Sequence, residues 1–261
     1  MNRGPSLRRL AGLLGAGILL VAACTTAPIT GRSQLILFPA AQDAALGADA
    51  YRQILAMSRI SNDPVLNRRV REVGQRIARA SGQPDLDWEY TVIEDDTPNA
   101  FALPGGKVGV HTGLFTVAMN DAQLAAVMGH EVGHVIARHG SERMSQQVLL
   151  QGGLAALGAG AAGSSNQEQY VRLAVLAATL GVVLPFSREQ ESEADQIGLI
   201  YMARAGYDPR QSVELWRNFE AQGQRRQLEF LSTHPAPGTR IAQLQAQMPE
   251  AMAIYEQNRQ P

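Results

Sequence analysis

The sequence predicts an α+β domain, mostly helix with one small β-sheet. Three observations carry that reading. Apolar residues recur at helical spacing behind Pro64. Two short stretches near 88–93 and 107–112, rich in β-branched residues, flank a Pro-Gly-Gly turn, and a succession of helical patterns then fills the chain from about 121 onward. At 261 residues and 45% hydrophobic, the chain can bury a single sizeable core. A formal charge of −1 on so apolar a chain excludes disorder. No helical-repeat period is visible.

The N-terminus has the character of a targeting segment. Arg3, Arg8 and Arg9 precede an uncharged stretch from Leu10 to Ala23, too short and glycine-rich for a comfortable membrane span. It ends in Val21-Ala22-Ala23-Cys24, which resembles a bacterial lipobox. Residues 1–23 are therefore expected to be a lipoprotein signal peptide, Cys24 the lipidation site, and 24–39 an extended tether anchored to a bilayer. Thr25, where an aspartate would retain the protein at the inner membrane, implies the periplasmic side of the outer membrane. Residues 40–261 are expected to form one domain. Removing residues 1–23 takes three of the 23 basic residues, leaving 20 against 24 acidic in a mildly acidic chain.

Residues 40–59 have helical composition. Asn62-Asp63-Pro64 then supplies an N-cap and a proline at the first turn, and Val65, Leu66, Val70, Val73 and Ile77 form an apolar face that ends near Ser81-Gly82. Trp88–Ile93 alternates as a strand, and Lys107–Thr112 follows as a second. One long helix is expected over 121–147. The Gly/Ala-rich stretch 152–166 reads as a loop or loose helix end, and 171–184 as a buried apolar helix. Further helices are expected over 187–205, 209–222 and 239–247.

The strongest motif is His130-Glu131-Val132-Gly133-His134, inside the long predicted helix. Four residues are about 400° of helix, so both imidazoles lie one turn apart on one face and can bind one zinc ion. Glu131 is placed to accept a proton from a water activated by that metal without ligating it. Leu124, Val127, Met128, Val135 and Ile136 give the helix an apolar face and a rigid seat.

The third ligand is less constrained. The spacing after His134 lacks the metzincin Gly and His, since position 137 is Ala and 140 is Gly. The single cysteine belongs to the lipobox, which leaves a carboxylate from another helix. Ser187–Asp195 offers three glutamates. Glu191 and Asp195 share a face with Gly198, whose missing side chain allows close helix approach, whereas Glu189 and Glu193 look like a solvated face. Spacing alone favours Glu191 only modestly.

GHEVGHVIARHG, SREQESEAD and STHPAPGTRI, in that order, resemble the HtpX-like zinc metallopeptidases, a family that includes the Oma-type and CaaX prenyl proteases. The resemblance spans roughly residues 45–250 and is nearest to periplasmic lipoprotein members without transmembrane helices or repeat domains. It implies a gluzincin-type domain with His130, His134 and Glu191 as zinc ligands, Glu131 as catalytic base, and Asp195 as the carboxylate that orients a ligand. His234 is then expected to reach the metal's open position, as an oxyanion donor or a resting-state ligand, and Arg240 to anchor Asp195 or touch substrate. Asn99, Ala100, Phe101 and Ala102 resemble the edge strand onto which such proteases add an extended substrate. His139 reads as structural, and His111 has no assigned role.

The implied function is a zinc endopeptidase acting on misfolded or stalled envelope proteins, with outer-membrane assembly machinery as a candidate partner. The alternative is a protease-fold chaperone or assembly factor with little proteolysis. The 22 arginines and one lysine form no basic block, so nucleic acid is not an expected partner.

Overall fold

A computed structural model of the chain describes residues 24–158, 186–223, 230, 234 and 240–259, with side chains beyond 149 in the first span left aside. The expectations for 1–23, for 159–166 and for 171–184 lie outside the described residues. Among the described residues, no helix is long and apolar enough to cross a membrane.

The described residues begin with β1 (Cys24–Thr26) and β2 (Ser33–Leu35), an antiparallel pair in which Cys24 faces Leu35 and Thr26 faces Ser33. This corrects the expected extended tether. Ala27 and Ile36 are buried, and Arg32 reaches into the helical body, so burial and charge pairing hold the segment down.

Helix α1 (Ala40–Met57) follows, then α2 (Pro64–Ala80). Asp63 caps α2 by accepting from the backbone N–H groups of Val65 and Leu66 at 2.8 and 3.1 Å. Val70, Val73 and Ile77 then bury the face that the apolar spacing foretold.

The sheet has three strands, β3 (Glu89–Ile93), β4 (Ala100–Leu103) and β5 (Lys107–His111), in the order β3-β5-β4. β5 runs parallel to β3, with Glu89 opposite Lys107 and Ile93 opposite His111. β4 folds back antiparallel on β5, with Ala100 opposite Val110. Gly105 and Gly106, at φ 83° and 85°, make the turn that joins them. Val108 and Val110 of the central strand are fully buried. Among the described residues no strand pairs with the outer edge of β4.

After a 3₁₀ turn (Thr112–Thr116), the expected helix over 121–147 is two helices, α3 (Asp121–Ile136) and α4 (His139–Gly158). The break falls at Arg138, whose φ of 55° lies in the left-handed region. That conformation is held by side-chain bonds. Arg138 donates to Asp43 of α1 at 2.9 Å and to the Phe38 carbonyl at 2.6 Å, while Ser141 donates to the same carboxylate at 2.5 Å.

Helix α5 (Arg188–Arg204) starts from a capping box of Ser187 and Gln190. Helices α6 (Arg210–Gly223) and α7 (Arg240–Asn258) complete the described fold. α7 runs well past the expected end at 247, straight through Pro249. The bond that Pro249 cannot make is offset by Leu244 and Ala251, both buried, and by Ile254 and Tyr255 packed on the core.

The core sits between the sheet and the crossing of α3 with α5. These two helices meet backbone to backbone. A Cβ on Gly198 would lie 2.6 Å from the His130 backbone nitrogen, and one on Gly129 would lie 2.9 Å from the Gly198 carbonyl oxygen. Around that contact Leu124, Met128, Val132, Ile197 and Met202 are fully buried.

Gly198→Ala is therefore expected to force the helices apart, at a cost of about 1–3 kcal/mol and roughly 2–12 °C in Tm. Gly140→Ala, where an added Cβ meets open space, is expected to leave Tm unchanged or slightly raised. Thermal denaturation of the two variants beside the unsubstituted chain checks both signs.

Candidate active site

Helix α3 delivers three residues of the site. Asn120 caps it by accepting from the Gln123 N–H at 2.9 Å, which fixes the first turn. His130, Glu131 and His134 follow near its C-terminal end, each 3–4% exposed. Helix α5, in close contact, brings Glu191 and Asp195, and His234 and Arg240 reach in from the chain beyond α6.

Four side chains converge: His130, His134, Glu191 and His234, each offering a ligand atom within 4.8 Å of all the others. His130 Nε2 lies 3.1 Å from His134 Nε2 and 3.3 Å from His234 Nδ1. The Glu191 carboxylate lies 3.3 Å from His134 Nε2, 3.5 Å from His130 Nε2 and 2.9 Å from His234 Nδ1. A tetrahedral ion with bonds of about 2.0–2.1 Å spaces its ligands about 3.3–3.4 Å apart. Three imidazole nitrogens with lone pairs at this range repel one another unless a cation or protons lie between them. The donor set and its spacing therefore fit one metal ion.

The surrounding contacts orient these four side chains. Asp195 Oδ1 faces His130 Nδ1 at 2.9 Å. Arg240 donates to both Asp195 oxygens, to Glu191 Oε2 at 2.9 Å, and lies 2.9 Å from His130 Nδ1. Its guanidinium also stacks 3.8 Å above the Trp216 ring, which buries a cation that the two carboxylates neutralise. Burial opposes the charge on Asp195, yet Arg240 and His130 hold its carboxyl below the usual range. Burial likewise opposes the Glu191 anion, and His130, His134 and His234 outweigh it, keeping Glu191 ionised.

Glu131 has the opposite balance. It is fully desolvated, its Oε1 has no hydrogen-bond partner, and His234 Nε2 stands 3.5 Å away. Burial pushes its carboxyl up from the ordinary value, with His234, His130 and the Ala102 backbone N–H only partly opposing. A carboxyl of raised proton affinity beside a cluster of metal-ligating side chains is suited to proton exchange.

β4 runs beside α3, which brings the Ala100–Leu103 strand next to Glu131. Ala100 is buried, while Phe101 and Ala102 are partly exposed along the unpaired edge. Asn99 lies just before the strand, its side chain accepting from the Ala100 N–H at 2.9 Å.

The residues singled out in the sequence thus gather at one place, apart from Cys24, which begins the N-terminal hairpin. Three features were not legible. Glu193, expected on a solvated face, is 5% exposed and bonds His139 and Arg32. Phe186 stacks on His134 at 3.9 Å and on His234 at 5.3 Å, and Phe230 also stacks on His234, at 4.7 Å. Neither phenylalanine carries a motif. The arginine three residues before Leu35 gave no signal at all.

Residues 64–248 match peptidase family M48. The chain belongs to that family. The mitochondrial metalloendopeptidase OMA1 of Schizosaccharomyces pombe is 40% identical over 189 residues, covering 72% of this chain and 54% of that protein. The Saccharomyces cerevisiae protein of the same description is 33% identical over 256 residues, 89% of this chain and 71% of the relative. The beta-barrel assembly-enhancing protease of Escherichia coli K12 is 32% identical over 226 residues, 83% of this chain and 46% of the relative. The chain thus spans about half the length of two of these three M48 relatives.

These relatives also correct the expected location at the periplasmic side of the outer membrane. The OMA1 proteins of both yeasts are described as mitochondrial, so the domain shared with them carries no outer-membrane address. That expectation rested on one residue after the lipobox, Thr25, and a sorting inference from one side chain does not outweigh similarity over most of the chain.

His134→Ala and Glu191→Gln are each expected to abolish stoichiometric metal binding, whereas Glu131→Gln retains it. Metal analysis after gel filtration reads this directly. Chelation should lower Tm, since a site saturated at about 1,000 times its Kd contributes about 4 kcal/mol.

Proposed function

We propose that the chain is a zinc-dependent endopeptidase that takes an extended segment of unfolded or misfolded protein along β4. One observation carries the reading: Glu131 Oε1, buried and without a hydrogen-bond partner, stands between a four-residue ligand cluster and a strand edge that no other described strand covers. Nitrogen and carboxylate donors in tetrahedral spacing suit zinc. Zinc held there supplies the Lewis acidity that activates water and polarises the scissile carbonyl.

The side chains supply the remainder. The substrate main chain pairs with the free edge of β4, fixing its register through backbone bonds and placing one carbonyl beside the ligand cluster. Glu131 accepts the proton of the attacking water and passes it to the leaving amine nitrogen. Asp195 and Arg240 keep His130 and Glu191 in place. His234 would supply a fourth ligand to a bound ion, 2.9 Å from Glu191 here, so its ring would have to swing aside to admit a substrate carbonyl. Stacking between Phe186 and Phe230 holds that ring in its resting place.

A second reading is a protease-fold assembly factor with little proteolysis, and the description of the Escherichia coli relative as a beta-barrel assembly-enhancing protease favours keeping it. Assembly machinery is then a partner. Acylation of Cys24, inferred from Val21-Ala22-Ala23-Cys24, would attach the chain to a bilayer at the first residue of β1.

Casein cleavage tests the first reading. Glu131→Gln should lower turnover by about 10²–10⁴-fold while zinc content is unchanged. An unaltered rate in that zinc-loaded variant would falsify the proposed base. His234→Ala is expected to raise the rate, because the resting ligand is gone, and a fall would instead make His234 an oxyanion donor.

A further inference from the structure

The two histidines of α3 are oriented by different means. His130 meets the Asp195 carboxylate directly. His134 meets no carboxylate through its Nδ1. That atom lies 2.8 Å from Nδ1 of His139, the first residue of α4, which is completely buried. His139 Nε2 in turn lies 2.9 Å from Glu193 Oε2. Glu193 accepts from Arg32 Nε at 2.6 Å and from the Thr30 hydroxyl, both in the N-terminal hairpin. The same guanidinium grips Glu142 of α4 with both terminal nitrogens, each at 2.8 Å, and Gln190 also donates to Glu142 at 2.8 Å.

The proton positions along this chain follow from donor and acceptor chemistry. Glu193, paired with Arg32, is an acceptor only, so His139 carries its hydrogen on Nε2. The bare Nδ1 of His139 then accepts from Nδ1–H of His134. His134 is left with its lone pair on Nε2, the atom that faces Glu191 and His130. The links between His134, His139 and Glu193 are buried, and reversing either would put two hydrogens or two lone pairs face to face.

We propose that Arg32, Glu193 and His139 are positioning residues of the metal centre, through which the N-terminal hairpin fixes the tautomer and orientation of the ligand His134. The inference rests on the metal-site reading above and extends it from the ligands to residues 30–32. The break at Arg138 serves the same end. By ending α3 there, the chain turns back and sets His139 against His134, where a continuous helix would carry position 139 onward around the axis. Arg32 is the only cation that the described contacts give to Glu142, and it shares Glu193 with His139 alone among basic groups. Its loss frees both carboxylates to turn toward water.

The test uses the full chain and zinc alone, with affinity read by competition against a chromogenic chelator and geometry read from the visible spectrum after cobalt(II) substitution. Arg32→Ala, Glu193→Gln and His139→Leu should each weaken zinc binding by about 10–100-fold and alter the cobalt bands. His139→Gln should retain most of the affinity, because its amide can accept from His134 on one side and donate to Glu193 on the other. Arg59→Ala, which removes an exposed pair with Glu94, should change neither readout. Zinc affinity within twofold of the unsubstituted chain in all three relay variants, with unchanged cobalt bands, overturns the proposal. Equal losses in His139→Gln and His139→Leu also overturn it, since packing alone would then explain the effect. If Arg32→Ala does not fold, the isosteric Glu193→Gln and the two His139 variants still decide. An unsubstituted chain that binds neither metal defeats the metal-site reading itself, an outcome distinct from either of these.

Discussion

The whole site depends on how closely α3 and α5 approach. Gly129 and Gly133 on one helix and Ala194 and Gly198 on the other remove the side chains that would keep the axes apart. With the backbones in contact, the carboxylates of α5 fall at bonding distance from the imidazoles of α3. A wider crossing would leave Glu191 short of His134 and Asp195 short of His130. The contact explains why small residues sit where a packed interface ordinarily wants bulk: the space is taken by polar groups one turn away, and the apolar contribution comes from Leu124, Met128, Ile197 and Met202 around them.

That geometry brings many polar groups out of water, and charge pairing decides whether it can persist. Around the ligands lie buried Glu131, Glu191, Glu193 and Asp195, with Arg240 the one fully buried arginine among them. Arg240 answers two of the carboxylates, and Arg32 answers Glu193 together with Glu142. No described contact gives Glu131 an arginine, only His234 at 3.5 Å, and it is the group whose proposed chemistry calls for a high proton affinity. The unequal distribution of two arginines over five acids thus separates carboxylates that stay ionised from the one suited to exchange a proton.

Much of this was legible beforehand, for identifiable reasons. The HExxH spacing reads directly into one helical face, Asp63-Pro64 reads into a helix start, and Gly198 reads into a close contact, because each is a local rule. The residues that escaped notice act over long range. The end of α3 at Arg138 carries no proline or glycine signal, since Asp43, some 95 positions earlier, holds the left-handed turn. Glu193 has the helical spacing of an exposed residue and is covered only because the N-terminal hairpin folds over it. The α7 helix passes a proline because its far half has a core to pack against. The third strand gained its parallel partner from the sheet as a whole, and no alternation pattern within β3 or β5 distinguishes a parallel neighbour from an antiparallel one.

Arg32 and Glu193 are 161 positions apart, His130 and Arg240 are 110, and His130 and His234 are 104. Such contacts close only after very long loops of chain have been drawn in. During synthesis the His130–His134 pair emerges well before the helix that bears Glu191 and before His234. The hairpin proposed to steady His134 is made before either, and finds Glu193 only after about three-quarters of the backbone is in place. A cluster divided in this way cannot assemble until His234 has been made. The order in which the chain is made thus withholds the proposed hydrolysis from a nascent copy until the domain is all but complete.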